Sequence, residues 1–294
     1  MQAAPSTTQE TPRDSASIVL LQDTPAGIQV LLLRRHAKAS NMAGVYVFPG
    51  GKLDAGDHWE DGAPQLDQSR HALANALSEP DTPPERAAAL YVAALREAVE
   101  ECGLLLAEPA TGGQPLNAAE ARARLRGGEA FTCMLQTLAL RLQTRALAPW
   151  SRWITPVAPS MNSRRFDTRF FVARAPQGQV ARHDEEETVD TLWAAPRTAL
   201  EQYRDGAIDL APPQIMTLAH LARHASVAQV LDAARRQSPP TILPQAFDDQ
   251  GTRVICYPGD ERHVVRERAM PGPTRLFYRE RRFYPERGFD ALFD

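Results

Sequence analysis

Residues 82–103 leave the fold least freedom: Thr82-Pro83-Pro84-Glu85 opens this stretch and Gly103 closes it. A capping Thr, Pro at the first helical position and Glu three residues after the cap together make a strong helix start. A glycine is a common C-terminal stop. Plotted at about 100° per residue, Ala87, Tyr91, Leu95, Ala98, Val99 and Cys102 fall on one side of this helix, and Glu97, Glu100 and Glu101 on the other. The pattern predicts a helix that buries one face and presents three carboxylates within one turn on the opposite face.

Around it, strand and helix signals interleave. Ile18–Leu21 and Ile28–Leu33 are apolar, β-branched-rich runs separated by Asp23-Thr24-Pro25-Ala26-Gly27, which predicts a hairpin. A third strand over Val45–Phe48 stops at Pro49-Gly50-Gly51. Residues 55–84, rich in Asp, Gly and Pro around a short helical patch at His71–Leu77, are expected to form a surface insertion. Further strands are expected at Trp153–Val157, Arg169–Ala173 and Val189–Trp193, then a helix after Pro196 and helical structure over 212–236. No period of 20 to 50 residues repeats, and the interleaving favours an α/β or α+β sandwich.

The domain organisation expected is a disordered leader over 1–16, a main domain over 17–236 and a C-terminal extension over 237–294, where prolines crowd around short pieces such as Arg253–Tyr257 and Thr274–Tyr278. For that extension the expectation is packing over the main domain or a share in a homodimer interface. A formal net charge of -3 offers no basic excess for nucleic acid, and no run approaches the ~18 apolar residues of a membrane span. The first sixteen residues lack the basic start and apolar stretch of a signal peptide. Cys102, Cys133 and Cys256 fit neither a disulfide framework nor a CxxC site, so a reducing cytoplasm is the expected compartment.

Three carboxylates at i, i+3 and i+4 repel one another unless a cation lies between them. Carboxylate oxygens are hard ligands, so the ion expected is Mg²⁺, or Mn²⁺ in its place, shared with substrate phosphates. Such an ion neutralises charge developing on a leaving phosphate, and a carboxylate left free accepts a proton from the attacking water. The competing reading is a solvated helix face whose acids pair with arginines, Arg96 with Glu100 at i+4. The chain carries no G-x-S-x-G elbow, no P-loop and no histidines at metal-ligand spacing.

The letters around the triplet decide between these readings. Gly51 followed by five residues and Asp57, and Arg96-Glu97-Ala98-Val99-Glu100-Glu101-Cys102-Gly103-Leu104, resemble the two halves of the Nudix box: G, five residues, E, seven residues, then R-E-U-x-E-E-x-G-U with U a bulky aliphatic. Three departures stand out. Asp57 replaces the usual Glu, Ala98 occupies an aliphatic position, and 38 residues separate Asp57 from Arg96 where seven are usual, an insertion of 31 placed at about 58–88.

An insertion at this place is similar to that of a Nudix branch resembling peroxisomal coenzyme A diphosphatases. Leu31–Arg35 leading to Val47–Gly51, then Trp153–Pro156, Arg164–Thr168 and Leu210–Gln214, extend the likeness over roughly residues 17–225. The resemblance implies a Nudix-type α/β/α sandwich with a mixed sheet, and a metal-dependent hydrolase that cleaves the diphosphate of a nucleotide-derived small molecule. Coenzyme A or acyl-CoA is the favoured substrate; ADP-ribose, a nucleotide sugar or a dinucleotide polyphosphate is the alternative, and a non-catalytic binding module a third reading.

The resemblance also assigns roles. Glu97, Glu100, Glu101 and the Gly51 carbonyl become metal ligands, with Asp57 a weaker candidate; Glu100 and Glu101 are catalytic candidates. Glu187, chosen from the acidic run His183–Glu187, is the expected base from a loop over the metals. Arg34, Arg35, Arg164 and Arg165 are candidates for holding substrate phosphates, since guanidinium groups bind phosphate oxygens bidentately.

Overall fold

The computed structural model describes residues 11–39, 42–60, 62–63, 65–110, 116–157 and 165–294. The predicted hairpin forms, with β1 (Arg13–Thr24) antiparallel to β2 (Gly27–Arg35) and Leu21 opposite Val30. Its tight turn is closed by the Thr24 hydroxyl, which donates to the Gly27 carbonyl oxygen at 2.8 Å. Gly27, at φ +112°, supplies a conformation that side-chain-bearing residues rarely adopt. Because β1 starts at Arg13 and already buries Ser15 and Ala16, ordered structure begins before the boundary expected at 17.

Both faces of the hairpin are covered, which is why its strands read as continuous apolar runs rather than as an alternation. Ala16, Ile18, Leu20, Leu31 and Leu33 point into one core, while Val19, Leu21, Val30 and Leu32 point into a second across the sheet. After β3 (Tyr46–Val47) on β2, the glycine strand β4 (Gly50–Lys52) pairs antiparallel with the first half of β1, Gly51 opposite Ala16.

Two helices of the first layer follow: α1 (Arg70–Leu77), the helical patch of the insertion, and α2 (Pro84–Cys102). Gly103 ends α2 as predicted, at φ +70°, and the helix starts at Pro84, one residue after the first helical position expected from a Thr82 cap. The cap differs: it falls on Pro83, and the Thr82 hydroxyl donates instead to Glu79 at 2.6 Å. Every residue from Ala87 to Leu95 is buried, so α2 is enclosed all round rather than on one face. The insertion accounts for this, since α1 lies against α2 and sinks Leu73 and Leu77 into the same core.

Residues between α2 and the next strand add β5 (Ala107–Pro109), α3 (Ala118–Arg126), α4 (Phe131–Thr137) and β6 (Leu140–Leu142), which local pattern did not foretell. Then β7 (Ala148–Ile154) runs antiparallel to β8 (Phe166–Arg174), β8 runs parallel to β1, and β9 (Thr188–Ala194) pairs with β2. The second layer is α5 (Pro196–Arg204), α6 (Pro212–Leu221) and α7 (Val227–Arg236). The mixed eight-stranded sheet is completed by β10 (Thr241–Ile242), parallel to β7, so a strand of the expected extension is built into the main sheet.

The remaining strands, β11 (Gln245–Asp249), β12 (Thr252–Cys256), β13 (Arg275–Arg279) and β14 (Arg282–Tyr284), form a four-stranded antiparallel sheet. It packs on the main domain: Tyr257, Leu276 and Leu292 share the second core, and Arg282 donates to the carbonyls of Tyr203 and Ile208. Among the described residues no helix is long and apolar enough to cross a membrane, and all three cysteines are free.

Candidate active site

The two halves of the interrupted motif meet. The Gly50 N–H donates to Glu101 Oε2 at 2.9 Å, and a Cβ placed on Gly51 would lie 2.2 Å from Glu97 Oε1. Glycine is required at both positions for different reasons, because a Cβ on Gly50 would strike backbone, 2.5 Å from the Ala16 carbonyl oxygen and 2.7 Å from Ser17 Cα. A chain loop thus approaches a carboxylate face more closely than any side chain would permit.

Arg96 organises the face. Its Nε and Nη2 hold Asp57 bidentately at 2.9 and 3.0 Å, Nη1 reaches Glu97 and Glu100 at 2.8 Å each, and Nη2 also donates to the Lys52 carbonyl oxygen at 3.2 Å. The Arg96–Glu100 pair of the competing reading therefore exists, but the face is not solvated: Arg96 is 8% and Glu101 3% exposed. Asp57, 1% exposed, spends both oxygens on Arg96 and also accepts the Asp54 N–H at 2.8 Å. It fastens the start of the insertion to α2, and the weaker metal-ligand role considered for it finds no free oxygen.

Burial pushes the Glu97 carboxyl up to about 7, against the opposing pull of Arg96, and the charges of Glu100 and Glu187 push the same way. Burial, then the charge of Glu97, raises Glu101 well above the usual carboxylate range; the Gly50 N–H and Arg35 oppose this, and Glu187 adds to it. Burial is the larger cause for both, and the neighbouring carboxylates add to it. Among the described residues no three acidic, histidine or cysteine side chains converge as a ready ligand cage. Arg96 holds an oxygen each of Glu97 and Glu100, and the Gly50 N–H one of Glu101.

The acidic loop separates its four acids by role. Asp184 Oδ1 accepts from the N–H groups of Glu186, Glu187 and Thr188, so it shapes the turn, with Glu185 at φ +74°. The His36 N–H donates to the Glu187 carbonyl oxygen at 2.8 Å, which sets Glu187 beside the end of β2. Its side chain is exposed, and its charge weighs on both Glu97 and Glu101.

The four arginines do not act together. Strand alternation splits the adjacent pair: Arg35 exerts its charge on Glu101, whereas Arg34 acts on Tyr46, whose hydroxyl donates to Asp190 at 2.5 Å. Arg35 Nε is buried without a partner. Arg165 stands at the start of β8, its Nε donating to the Thr155 carbonyl oxygen at 3.0 Å, away from the acidic face. Arg164 lies outside the described residues.

Sequence reasoning missed a second buried network. Arg169, 2% exposed, holds Glu79 at 3.0 and 2.7 Å and Asp14 at 2.6 Å; Arg152 grips Asp167 at 2.8 and 2.6 Å; Arg86 takes the other oxygen of Asp14 at 2.5 Å. Three arginines match three carboxylates, and the network ties Glu79, near the end of the insertion, to β1, β7 and β8.

Compared with known proteins, residues 1–221 match the family model described as the NUDT19 Nudix domain. The chain is similar to the acyl-coenzyme A diphosphatase NUDT19 of Gallus gallus, 29% identical over 267 residues, covering 73% of this chain and 69% of that protein. It is 31% identical over 237 residues to the protein of the same name from Homo sapiens, covering 69% of this chain and 63% of the relative's own length. Among solved structures, a NUDIX hydrolase from Alicyclobacillus acidocaldarius superposes with a TM-score of 0.60 at 26% identity, over 76% of this chain and 97% of that one.

Proposed function

The chain belongs to the Nudix hydrolases, in the family of the NUDT19 Nudix domain, and on that premise we propose that it hydrolyses the diphosphate of coenzyme A or an acyl-coenzyme A with Mg²⁺ or Mn²⁺. The observation that carries this is the closure of Gly50-Gly51 onto Glu97 and Glu101 across the insertion. Substrate identity is supported by the names of the relatives, acyl-coenzyme A diphosphatases.

The family's divalent metal suits the residues present: two acids raised chiefly by burial and further by neighbouring carboxylates, a third half-exposed acid, and a glycine loop with no side chain in the way. Glu97 and Glu101, with Glu100 and the Gly51 carbonyl, are proposed as the ligands. When bound, the ion supplies positive charge to the diphosphate and to the leaving phosphate. Arg96 holds one oxygen each of Glu97 and Glu100, so the other oxygen of each would be the one to hold the ion, while two bonds to Asp57 keep Arg96 in place. Arg35, with its buried unpartnered Nε, is proposed to donate to a phosphate oxygen. Glu187 on its exposed loop is proposed to accept the proton from the attacking water, placed near the acids without being fixed to them.

Incubating the full chain with Mg²⁺ or Mn²⁺ and coenzyme A should release phosphopantetheine and adenosine 3',5'-bisphosphate, read by mass. Glu97→Gln, Glu101→Gln and Glu187→Gln should each lower kcat by about 10²-fold or more. Unchanged turnover in any one of them removes that residue from the mechanism. Faster cleavage of ADP-ribose than of coenzyme A would give the site to the alternative substrate class.

A further inference from the structure

The loop that carries Glu187 is held from outside as well as from within. Its successive acids, Asp184 to Glu187, repel one another, and Asp184 Oδ1 offsets this only on the inside of the turn, where it accepts the N–H groups of Glu186, Glu187 and Thr188. The loop's carbonyls are satisfied by α3. Arg122 Nη2 donates to the His183 carbonyl oxygen and Arg126 Nη2 to that of Asp184, each at 2.7 Å. Spaced four apart, the two arginines lie on one face of α3. Backbone bonds tie the loop's two ends: the Arg182 N–H donates to the Cys102 carbonyl oxygen at 2.9 Å, and the His36 N–H to that of Glu187 at 2.8 Å.

Arg122 joins the two elements that bear the carboxylates. A Cβ on Gly103 would lie 3.1 Å from Arg122 Cδ and 3.3 Å from its Nη1, so this side chain lies against the end of α2, two residues beyond Glu101. From there it reaches His183, four residues before Glu187. A cation at this end of a helix is favoured by the helix dipole. Arg122 is nevertheless costly to place: its Nε is buried without a partner, and burial, with the charge of Arg126, lowers its pKa. Packing on Gly103 alone would favour an apolar residue, which could not donate to the loop. Arg124, on the same helix, turns instead to Glu120 and Glu129.

We propose that Arg122, assisted by Arg126, is a positioning residue that holds the loop against the end of α2 and so keeps Glu187 where it accepts the proton of the attacking water. The inference rests on the role proposed for Glu187 above. Both arginines touch the loop's backbone rather than substrate, so they act on kcat and not on KM.

The test measures turnover of coenzyme A with Mg²⁺ by the full chain carrying Arg122→Met, Arg122→Lys, Arg126→Met or Arg124→Met, with the first and third also made in a Glu187→Gln background. Arg122→Met keeps the stem over Gly103 and should lower kcat about tenfold at unchanged KM, because an ångström of misplacement costs up to about 10²-fold. Arg122→Lys should recover most of the loss, and Arg124→Met should match the wild type. With Glu187→Gln already present, Arg122→Met should lower kcat by less than about twofold more. Hydrogen exchange over 183–188 should quicken in Arg122→Met while the amides of α2 keep their rates. If Arg122→Met does not fold, Arg126→Met, at an exposed position, reads the same quantities. An equal fall in kcat with and without the Glu187 carboxylate, an effect confined to KM, or unchanged kcat and exchange overturns the inference and leaves the proposed function standing. Full turnover by Glu187→Gln removes the base and the inference together while hydrolysis stands. A wild type that cleaves neither coenzyme A, its acyl forms nor ADP-ribose overturns the proposed function and the inference with it.

Discussion

Removing the charge of Asp57 probes how the interrupted motif is held. Asp57→Asn keeps the shape of the side chain but replaces a bidentate carboxylate with an amide that turns either one oxygen or an N–H toward Arg96. Both partners are nearly inaccessible, Asp57 at 1% and Arg96 at 8%, so water cannot take the place of the lost bonds. Breaking a buried ion pair by removing one partner costs about 3–5 kcal/mol. The low end applies here, because Arg96 Nη1 still reaches Glu97 and Glu100 at 2.8 Å. A loss of about 3 kcal/mol corresponds to a fall in Tm of roughly 6–10 °C for a domain of this size. The freed guanidinium should also cling harder to Glu97 and Glu100, so the Mg²⁺ concentration giving half-maximal activity should rise. Thermal and urea unfolding of Asp57→Asn, Arg96→Met and the double variant measure the coupling. If Asp57→Asn shifts Tm by less than 2 °C, or costs as much with Arg96→Met as without it, the pair is not what secures the loop.

Three further outcomes follow from other parts of the molecule. Gly51→Ala should cut kcat/KM at least tenfold with little loss of stability, because its Cβ displaces only the Glu97 carboxylate; Gly50→Ala meets strand backbone and should cost about 2 kcal/mol in urea unfolding. Burial lowers His220 to about 4, with His224 and Arg223 adding to the effect, so the fold holds it neutral while the unfolded chain protonates it below about 6.5. Its contribution is therefore complete above pH 6.5 and shrinks as pH falls toward 4, by up to about 3 kcal/mol, and His220→Phe, which keeps a ring against Trp150, should flatten that part of the stability profile. Truncation before Ser238 removes β10 from the main sheet and strips Tyr257, Leu276 and Leu292 from the second core, so the shortened chain should be insoluble or melt far below the full one.

What was legible in the sequence is what local chemistry encodes. The turn at Thr24–Gly27, the proline at the helix start and Gly103 at its end each act within a few residues; the turn and Gly103 are where they were expected, and the helix start is one residue later. The meeting of Gly51 with Glu97 spans the insertion and has no local signal; it was readable only through the spacing of a known motif. The division of Arg34 from Arg35 was encoded and overlooked, since Leu31, Leu33 and Arg35 share one parity along β2 and Leu32 and Arg34 the other. Glu79 and Arg169, 90 residues apart, carry no pattern that pairs them. That Asp184, and not Glu187, holds the loop's own backbone is information that composition does not carry.

The fastening of the insertion at both ends explains why its length is tolerated. Stretching the connection from seven to 38 residues raises the entropy of closing it by only about 1.5 kcal/mol, because that cost grows with the logarithm of length. The inserted residues return more than this, since Leu73 and Leu77 alone are buried at about 1.5–3 kcal/mol each. Packing energy does not fix where the loop begins and ends, however, and an error of an ångström at Gly51 would separate the glycine turn from its acids. Directional bonds set that position: Asp57 is locked to Arg96, the residue adjoining Glu97, and Glu79 is locked to Arg169 in the strand beside β1. The insertion is therefore free to vary between two fixed points, and the acidic face depends on those points rather than on the contiguity of the motif.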